Sequence, residues 1–377
     1  MVLLSFLLDV LIIVLSAIGV AGHFRIFGWP MFQYYTLDSN LFLLLACAVQ
    51  ARYEGAILLG KRLFVPSWVR VLKYLAVCTV MVTLFVVLFV LIPLYGGWSA
   101  VPWLLFQGTS PYHHLLCPLL GAASFILLDR PGLGDRRLTL WALGPTAFYA
   151  VVAIVLNLLR LLRGPYPFLL VYDQPVYMSL FWCVLILGLA WALAWAVWKL
   201  ALRFSEPREP SSSLPEEAGW TGDGFIKDQD ALSRYTYRTI PASENGCGPV
   251  AAFDLRRFDG QEPRFDEVLR EMDGLHLLRV PGPTYMRAMR RYLNRYLPGF
   301  HEIQGREDCL AAAGKSRMGL YRYLEERVPH FVSYIRVEDG RFRFFNVSDG
   351  TEDRILSMEE FGRGHLCGGP VRLLWWD

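Results

Sequence analysis

Hydrophobic positions are distributed in two ways along this chain. Up to Phe204 they form long, little-interrupted runs, near 2–20, 36–49, 69–94, 112–128, 138–162 and 176–202. Crossing about 30 Å of hydrocarbon takes roughly 20 apolar residues as a helix, and only helices or closed barrels satisfy their own backbone there. The six runs predict six membrane-spanning helices. The second and fourth are short and open on polar residues. The first has no basic segment ahead of it, so it reads as a spanning helix and not as a cleaved signal. Beyond Phe204 the long runs stop. Shorter segments follow: Val250, Phe253, Asp254 and Arg257 recur at helical spacing, and His330–Val337 reads as a strand.

Composition sharpens the division. The 377 residues are 54% hydrophobic, above the roughly 45–50% of soluble domains. Residues 1–205 carry 13 Lys+Arg and 6 Asp+Glu, whereas residues 206–377 carry 24 and 28. A single soluble protein is excluded, and so is a nucleic-acid binder acting through a basic surface. The predicted domains are a six-span region at 1–204, a Pro-, Ser- and Glu-rich linker at 205–222 and a soluble domain at 223–377. Orientation follows from loop cations. Arg52, Lys61, Arg62, Arg70, Lys73, Arg130, Arg136, Arg137, Lys199, Arg203 and Arg208 fall on one side, and only Arg25, Arg160 and Arg163 on the other. Both termini, and with them the soluble domain, are expected in the cytoplasm, with the plasma membrane of a bacterium as the expected location. Cys47, Cys78, Cys117 and Cys183 fall in the spans, and Cys247, Cys309 and Cys367 in the soluble half. Their spacing suggests neither a disulfide framework nor a zinc site, and no cofactor or metal is expected.

Polar residues gather where the second and fourth spans begin, at the expected outer side. Tyr34–Asn40 reads YYTLDSN, and Ser110–Pro118 reads SPYHHLLCP. Thr36 with His113 or His114 has the makings of a nucleophile and its base, because a threonine hydroxyl needs a neighbour to take its proton. The plainer reading is interhelical hydrogen bonding, with histidines at the headgroup level. On a helix Asn40, and not Asp38, shares the face of Thr36. YYTLDSNLF, HHLLCP and YPFLLVYD together resemble the androgen-induced-gene family of six-span membrane proteins and its bacterial relatives, over residues 1–204. Animal members hydrolyse fatty-acid esters of hydroxy fatty acids with a threonine and a histidine. The resemblance places these on Thr36 and on His113 or His114, with His114 preferred for its four-residue spacing to Pro118.

The soluble half carries ENGCGPVAAFDL at 244–255. Glycines on both sides of Cys247 allow a tight turn, and Pro249 suits a first helical turn. The sulfur is thereby expected at a helix N-terminus, where unpaired N–H groups and the helix dipole favour a thiolate. Downstream, His330–Val337, a turn at Glu338-Asp339-Gly340 and Arg341–Val347 predict a hairpin. Its closure sets His330 opposite Ser348 or Asp349, with Asn346 beside it on the neighbouring strand. A nucleophile on a helix start, a base on a strand and an orienting group on the next strand is what a thiolate–imidazolium pair requires. ENGCGPVAAFDL with PHFVSYIRVEDGRFRFFNV resembles the papain-like cysteine peptidases, especially the bacteriocin-leader peptidase group, over 235–347. The resemblance assigns Cys247 as nucleophile, His330 as base and Asn346, sixteen residues on, as the orienting residue. That group has an oxyanion-binding glutamine some six residues before the cysteine, and Pro241 stands there in this chain. Asn245 and Ser243 are the candidate substitutes.

Other marks are weaker. Arg287, Arg290, Arg291 and Arg295 share a helix face suited to solvent or anionic headgroups. His365 and Cys367 have no evident metal-binding partners, and the Asn346-Val347-Ser348 sequon would be silent in the cytoplasm. The expected architecture is a six-helix transmembrane bundle followed by a cytosolic α+β papain-like domain. The expected function is a membrane-tethered cysteine hydrolase, a peptidase by resemblance, whose membrane domain is a candidate Thr/His lipid esterase. Membrane lipid and a peptide or acyl-ester substrate are its expected partners. The alternative is a non-enzymatic sensor or scaffold with a degenerate papain-like binding module.

Overall fold

A computed structural model describes residues 2–60, 65–129, 133–204, 216–276, 280–325, 328–338, 340–347, 355–366 and 370–377. The chain forms two compact units, Met1–Glu206 and Pro207–Asp377. Among the described residues six helices are long and apolar enough to cross a membrane: α1 (Val2–Phe27), α2 (Tyr35–Leu58), α3 (Ser67–Leu94), α4 (Tyr112–Asp129), α5 (Leu138–Leu158) and α6 (Val176–Phe204). The first unit is a membrane helix bundle.

Three boundaries differ from the hydropathy reading. Helix α1 runs on past Val20 to Phe27, through His23 and Arg25. Helix α2 continues beyond Val49 to Leu58 because its polar residues are bonded inside the bundle: Gln50 and Glu54 are buried and bond each other at 3.0 Å. Helix α5 stops at Leu158 and not at Leu162. Arg160 there adopts a left-handed φ of 57°, and Asn157 ties the turn down by bonding the carbonyl of Leu162 and the N–H of Val171, each at 3.1 Å. Two wide π-helical turns, Val87–Leu91 and Tyr112–Leu116, directly precede Pro93 and Pro118. Proline has no N–H and its ring crowds the carbonyl four residues back, and a wider turn relieves both.

Lys73 does not behave as a loop cation. It is fully buried, and its ammonium pairs with Asp9 at 2.6 Å and Asp129 at 2.8 Å. It therefore drops out of the charge count that orients the bundle. Lys61, Arg62, Arg130 and Arg208 lie outside the described residues.

In the second unit the strands are β1 (Thr236–Tyr237), β2 (Ile240–Pro241), β3 (His301–Gln304), β4 (Met318–Glu325), β5 (Val328–Glu338), β6 (Arg341–Phe345), β7 (Ile355–Leu356) and β8 (Arg372–Trp376). The last six form one antiparallel sheet in the order β3-β8-β4-β5-β6-β7. Side chains alternate across it. Leu320, Phe331, Ile335 and Leu374 join a core with α7 (Cys247–Phe258), α8 (Phe265–Gly274) and α9 (Met286–Tyr296). Tyr321, Val332, Tyr334 and Phe344 join a second core with α10 (Arg306–Ala313) and α11 (Met358–His365). The unit is α+β. The β5–β6 hairpin forms with a register shift between Arg336 and Glu338, and Gly340 takes the left-handed φ of 73° that its tight turn requires. Asp339, Ser348 and Asp349 lie outside the described residues.

The linker is shorter than 205–222. Residues 205–215 lie outside the described residues, but Glu216–Gly219 forms a helical turn and Trp220 docks edge-on to Phe253 and Phe265, with ring centroids at 5.5 and 6.3 Å. Trp220→Ala is expected to destabilise the second unit by about 2 kcal/mol, since it removes a large, partly buried ring from the core. Thermal unfolding of the substituted and unsubstituted chains measures this.

Candidate active site

The cysteine segment is shaped by close approach. The β1–β2 hairpin turns through Arg238 and Thr239, both left-handed at φ 49° and 72°, and one helical turn at Ala242–Asn245 leads into Gly246 and Cys247. A Cβ on Gly246 would strike the carbonyl of Ala242, and one on Gly248 the side chain of Thr284. The two glycines are thus required by contact and not by a positive φ. Cys247 is the first residue of α7 and is 4% exposed.

His330 lies on β5 opposite Tyr323, past the last β5–β6 rung, which is Ser333 with Phe345. There the chain leaves β6 through Asn346, whose φ of 62° is a left-handed conformation that asparagine tolerates. This turn brings the main-chain carbonyl of Asn346 to 2.7 Å from His330 Nε2. A carbonyl only accepts, so Nε2 carries a hydrogen and Nδ1 is left as the basic nitrogen of the neutral ring. Cys247 lies close enough to raise the pKa of the imidazole. Burial pulls its pKa down. Cys247, the Glu325 carboxylate 3.7 Å from Nε2 and the Asn346 carbonyl outweigh burial and hold it up at about 9.

Asn346 therefore holds His330 through its main-chain carbonyl and not through its side chain. Its side chain turns instead to Gln229: Asn346 Nδ2 donates to Gln229 Oε1 at 3.0 Å, and Gln229 N donates to Asn346 Oδ1 at 3.0 Å. Gln229 Nε2 in turn donates to the Ser243 carbonyl at 3.1 Å. Gln229 thus ties the histidine loop to the turn that precedes the cysteine. Sequence reasoning missed Gln229 and Glu325. Gln229 bears no local motif, and Glu325 shows only as the last residue of the strand before His330.

Of the two oxyanion candidates, Asn245 has its amide committed: Nδ2 donates to the carbonyls of Tyr237 at 3.0 Å and Gly282 at 3.3 Å. It braces the hairpin. The Ser243 hydroxyl is buried without a hydrogen-bond partner among the described residues, one helical turn before Cys247. Arg322 on β4 adds a cation within Coulombic reach of Cys247; burial and Arg372 lower its pKa, and Cys247 opposes them.

The membrane unit assembles its candidates differently. The Thr36 hydroxyl lies 3.4 Å from the Tyr166 hydroxyl. With Tyr166 it lines a cavity of about 180 Å³, otherwise walled largely by apolar residues such as Val86, Ile154, Phe168 and Trp182. Neither His113 nor His114 lines that cavity. His114 Nδ1 donates to the Leu104 carbonyl at 2.6 Å, and the fully buried His113 ring packs edge-on to His23 with centroids at 5.8 Å. The link between Thr36 and His113 runs through Asn40, whose Nδ2 donates to the carbonyls of Thr36 at 2.8 Å and His113 at 3.2 Å. Thr36 and a histidine ring are not brought into hydrogen bond.

Among the weaker marks, Arg290 pairs with Glu302 at 3.4 Å, and His365 stacks on Phe361 with centroids at 5.0 Å. Cys367 lies outside the described residues. No protein-family model matches the chain, and no curated protein or solved structure matches it.

His330→Ala is expected to slow iodoacetamide alkylation of Cys247 at neutral pH by at least about tenfold, because the thiol loses its proton acceptor. Asn346→Gly, which keeps both the left-handed turn and the carbonyl, should leave the rate within about threefold. Peptide mapping of the alkylated protein reads both. Because the pKa of His330 is raised to about 9 in the fold, the stability it contributes is fully present below its unfolded value of about 6.5 and is lost as pH rises through 9. Unfolding measured across that window should show this loss, and His330→Ala should abolish it.

Proposed function

We propose that the protein is a membrane-tethered cysteine hydrolase of the papain-like kind, acting on peptide bonds from the cytoplasmic face. The observation that carries this reading is the proximity of Cys247, at the start of α7, to an imidazole whose pKa it raises and whose Nε2 is held by the Asn346 carbonyl. The ENGCGPV and PHFVSYIRV segments, which resemble the leader-peptidase group, support it, and so does the α+β architecture.

The chemistry follows from the groups present. His330 Nδ1 takes the thiol proton, and the Cys247 sulfur attacks the scissile carbonyl carbon. Charge moves to the carbonyl oxygen, where the α7 N-terminus is a favourable environment and the Ser243 hydroxyl a candidate donor. The intermediate collapses as the imidazolium passes its proton to the departing amine, leaving a thioester on Cys247. His330 then accepts a proton from water, hydroxide adds to the thioester, and the thiolate leaves with release of the acid. Glu325 favours the charged imidazole through both steps.

For the membrane unit we propose acyl-chain binding in the cavity beside Thr36. Its walls suit a hydrocarbon tail, and the hydroxyls of Thr36 and Tyr166 suit an ester or carboxyl head. The likeness to the androgen-induced-gene family favours ester hydrolysis there, whereas the absence of His113 and His114 from the cavity lining favours binding without turnover.

A mixed peptide pool, digested by the full chain in lipid vesicles and sequenced by mass spectrometry, tests the reading. Cleavage should vanish in Cys247→Ala and fall by about 100-fold or more in His330→Ala, while Thr36→Ala leaves it intact. Cleavage that survives Cys247→Ala, or its absence from every peptide, would leave the sensor reading in its place.

A further inference from the structure

At the end of the bundle remote from Thr36, four helices close around polar side chains rather than apolar ones. The Lys73 ammonium is the centre. It donates to Asp9 Oδ1 at 2.6 Å and Ser124 Oγ at 2.8 Å, and it forms an ion pair with Asp129 Oδ2 at 2.8 Å. Two carboxylates thus share one cation. A third, Glu54, stands beside them, 3% exposed and bonded through intermediaries. With every carboxyl ionised, this apolar interior would hold two uncompensated negative charges, which is costly.

Counting hydrogens locates the remedy. Ser5 Oγ lies 2.6 Å from Glu54 Oε1 and 2.8 Å from Asp129 Oδ1. A hydroxyl has one hydrogen, and an ionised carboxylate only accepts, so Ser5 serves both contacts only if one acid brings a hydrogen of its own. Gln50 does not supply it, because the two hydrogens of Nε2 go to the same pair of oxygens, at 3.0 and 2.7 Å. Asp129 is already paired with Lys73, which leaves Glu54. A separate observation agrees: Glu54 Oε2, like Asp9 Oδ2 and Asp129 Oδ2, is buried with no hydrogen-bond partner among the described residues, but those two carboxylates are ion-paired with Lys73. That is tolerable for the carbonyl oxygen of a neutral acid and unfavourable for half of an anion.

We infer that Glu54 is a proton-binding site of the membrane unit, a carboxylic acid whose hydrogen completes the chain Glu54–Ser5–Asp129–Lys73. The groups facing it are Ser5 and Asp9 from α1, Gln50 from its own helix, Lys73 from α3, and Ser124 and Asp129 from α4. Releasing the proton sets three carboxylates against one ammonium, so occupancy of this site governs how tightly α1, α2, α3 and α4 close at that end.

Infrared spectroscopy of the full chain in lipid vesicles tests this. At neutral pH the protein should show a protonated-carboxyl stretch that shifts in heavy water and disappears in Glu54→Gln. Glutamine reproduces the neutral acid, so that variant should melt within about 2 °C of the parent, whereas Asp129→Asn, which strips Lys73 of a partner, should melt about 5 °C lower or more. A parent without the band, a band that persists in Glu54→Gln, or a Glu54→Gln protein that fails to fold or is as damaged as Asp129→Asn would each overturn the inference.

Discussion

The imidazole of His330 has two nitrogens, and the candidate site depends on how one of them is held. The 2.7 Å bond from Nε2 to the Asn346 carbonyl sets the tautomer, and with it which nitrogen is free to take a proton from Cys247. That carbonyl is in place because the chain leaves β6 in a left-handed turn, and the Asn346 side chain links that turn to Gln229. Gln229 in turn is tied to the Ser243 carbonyl just ahead of α7. The turn ahead of Cys247, the His330 imidazole and the carbonyl that holds it are therefore joined by one run of hydrogen bonds from the helix start to the end of the sheet.

The membrane unit answers a related constraint under harsher conditions. No water reaches its interior to satisfy stray polar groups. Asn40 solves this locally by bonding two main-chain carbonyls, that of Thr36 in its own helix and that of His113 in the π-helical turn at Tyr112–Leu116. Lys73 solves it by pairing with Asp9 and Asp129 and donating to Ser124. Its burial also shows that a basic residue near a span end is not automatically a loop charge.

Much of this architecture was legible in the sequence, because length and apolarity alone decide whether a helix spans hydrocarbon. The six runs, the break near residue 204 and the β5–β6 hairpin all follow from local pattern. The missed end of α2 has a tertiary cause. Gln50 and Glu54 interrupt the apolar pattern of α2, and what keeps them helical and buried is contributed by α1 and α4. At the candidate site the pattern pointed to Cys247, His330 and Asn346, yet not to the main-chain carbonyl by which Asn346 bonds His330, since such a group leaves no signature of its own. Gln229 was invisible for the same reason, its partner being 117 residues away. Thr36 and the histidines stand out as polar residues in apolar runs, but which way their side chains turn is decided by Tyr166, Leu104 and His23.

The account rests on His330 being held as an imidazolium by the sulfur of Cys247, and nitrogen NMR of the histidine rings addresses that most directly. With ¹⁵N-labelled histidine in the full chain at about pH 8, where an ordinary histidine is neutral, the ring of His330 should report the protonated form, and in Cys247→Ala it should revert to the neutral tautomer with hydrogen on Nε2. A neutral His330 in the unsubstituted protein, or a ring indifferent to the loss of the sulfur, would contradict the pairing from which the proposed chemistry is built.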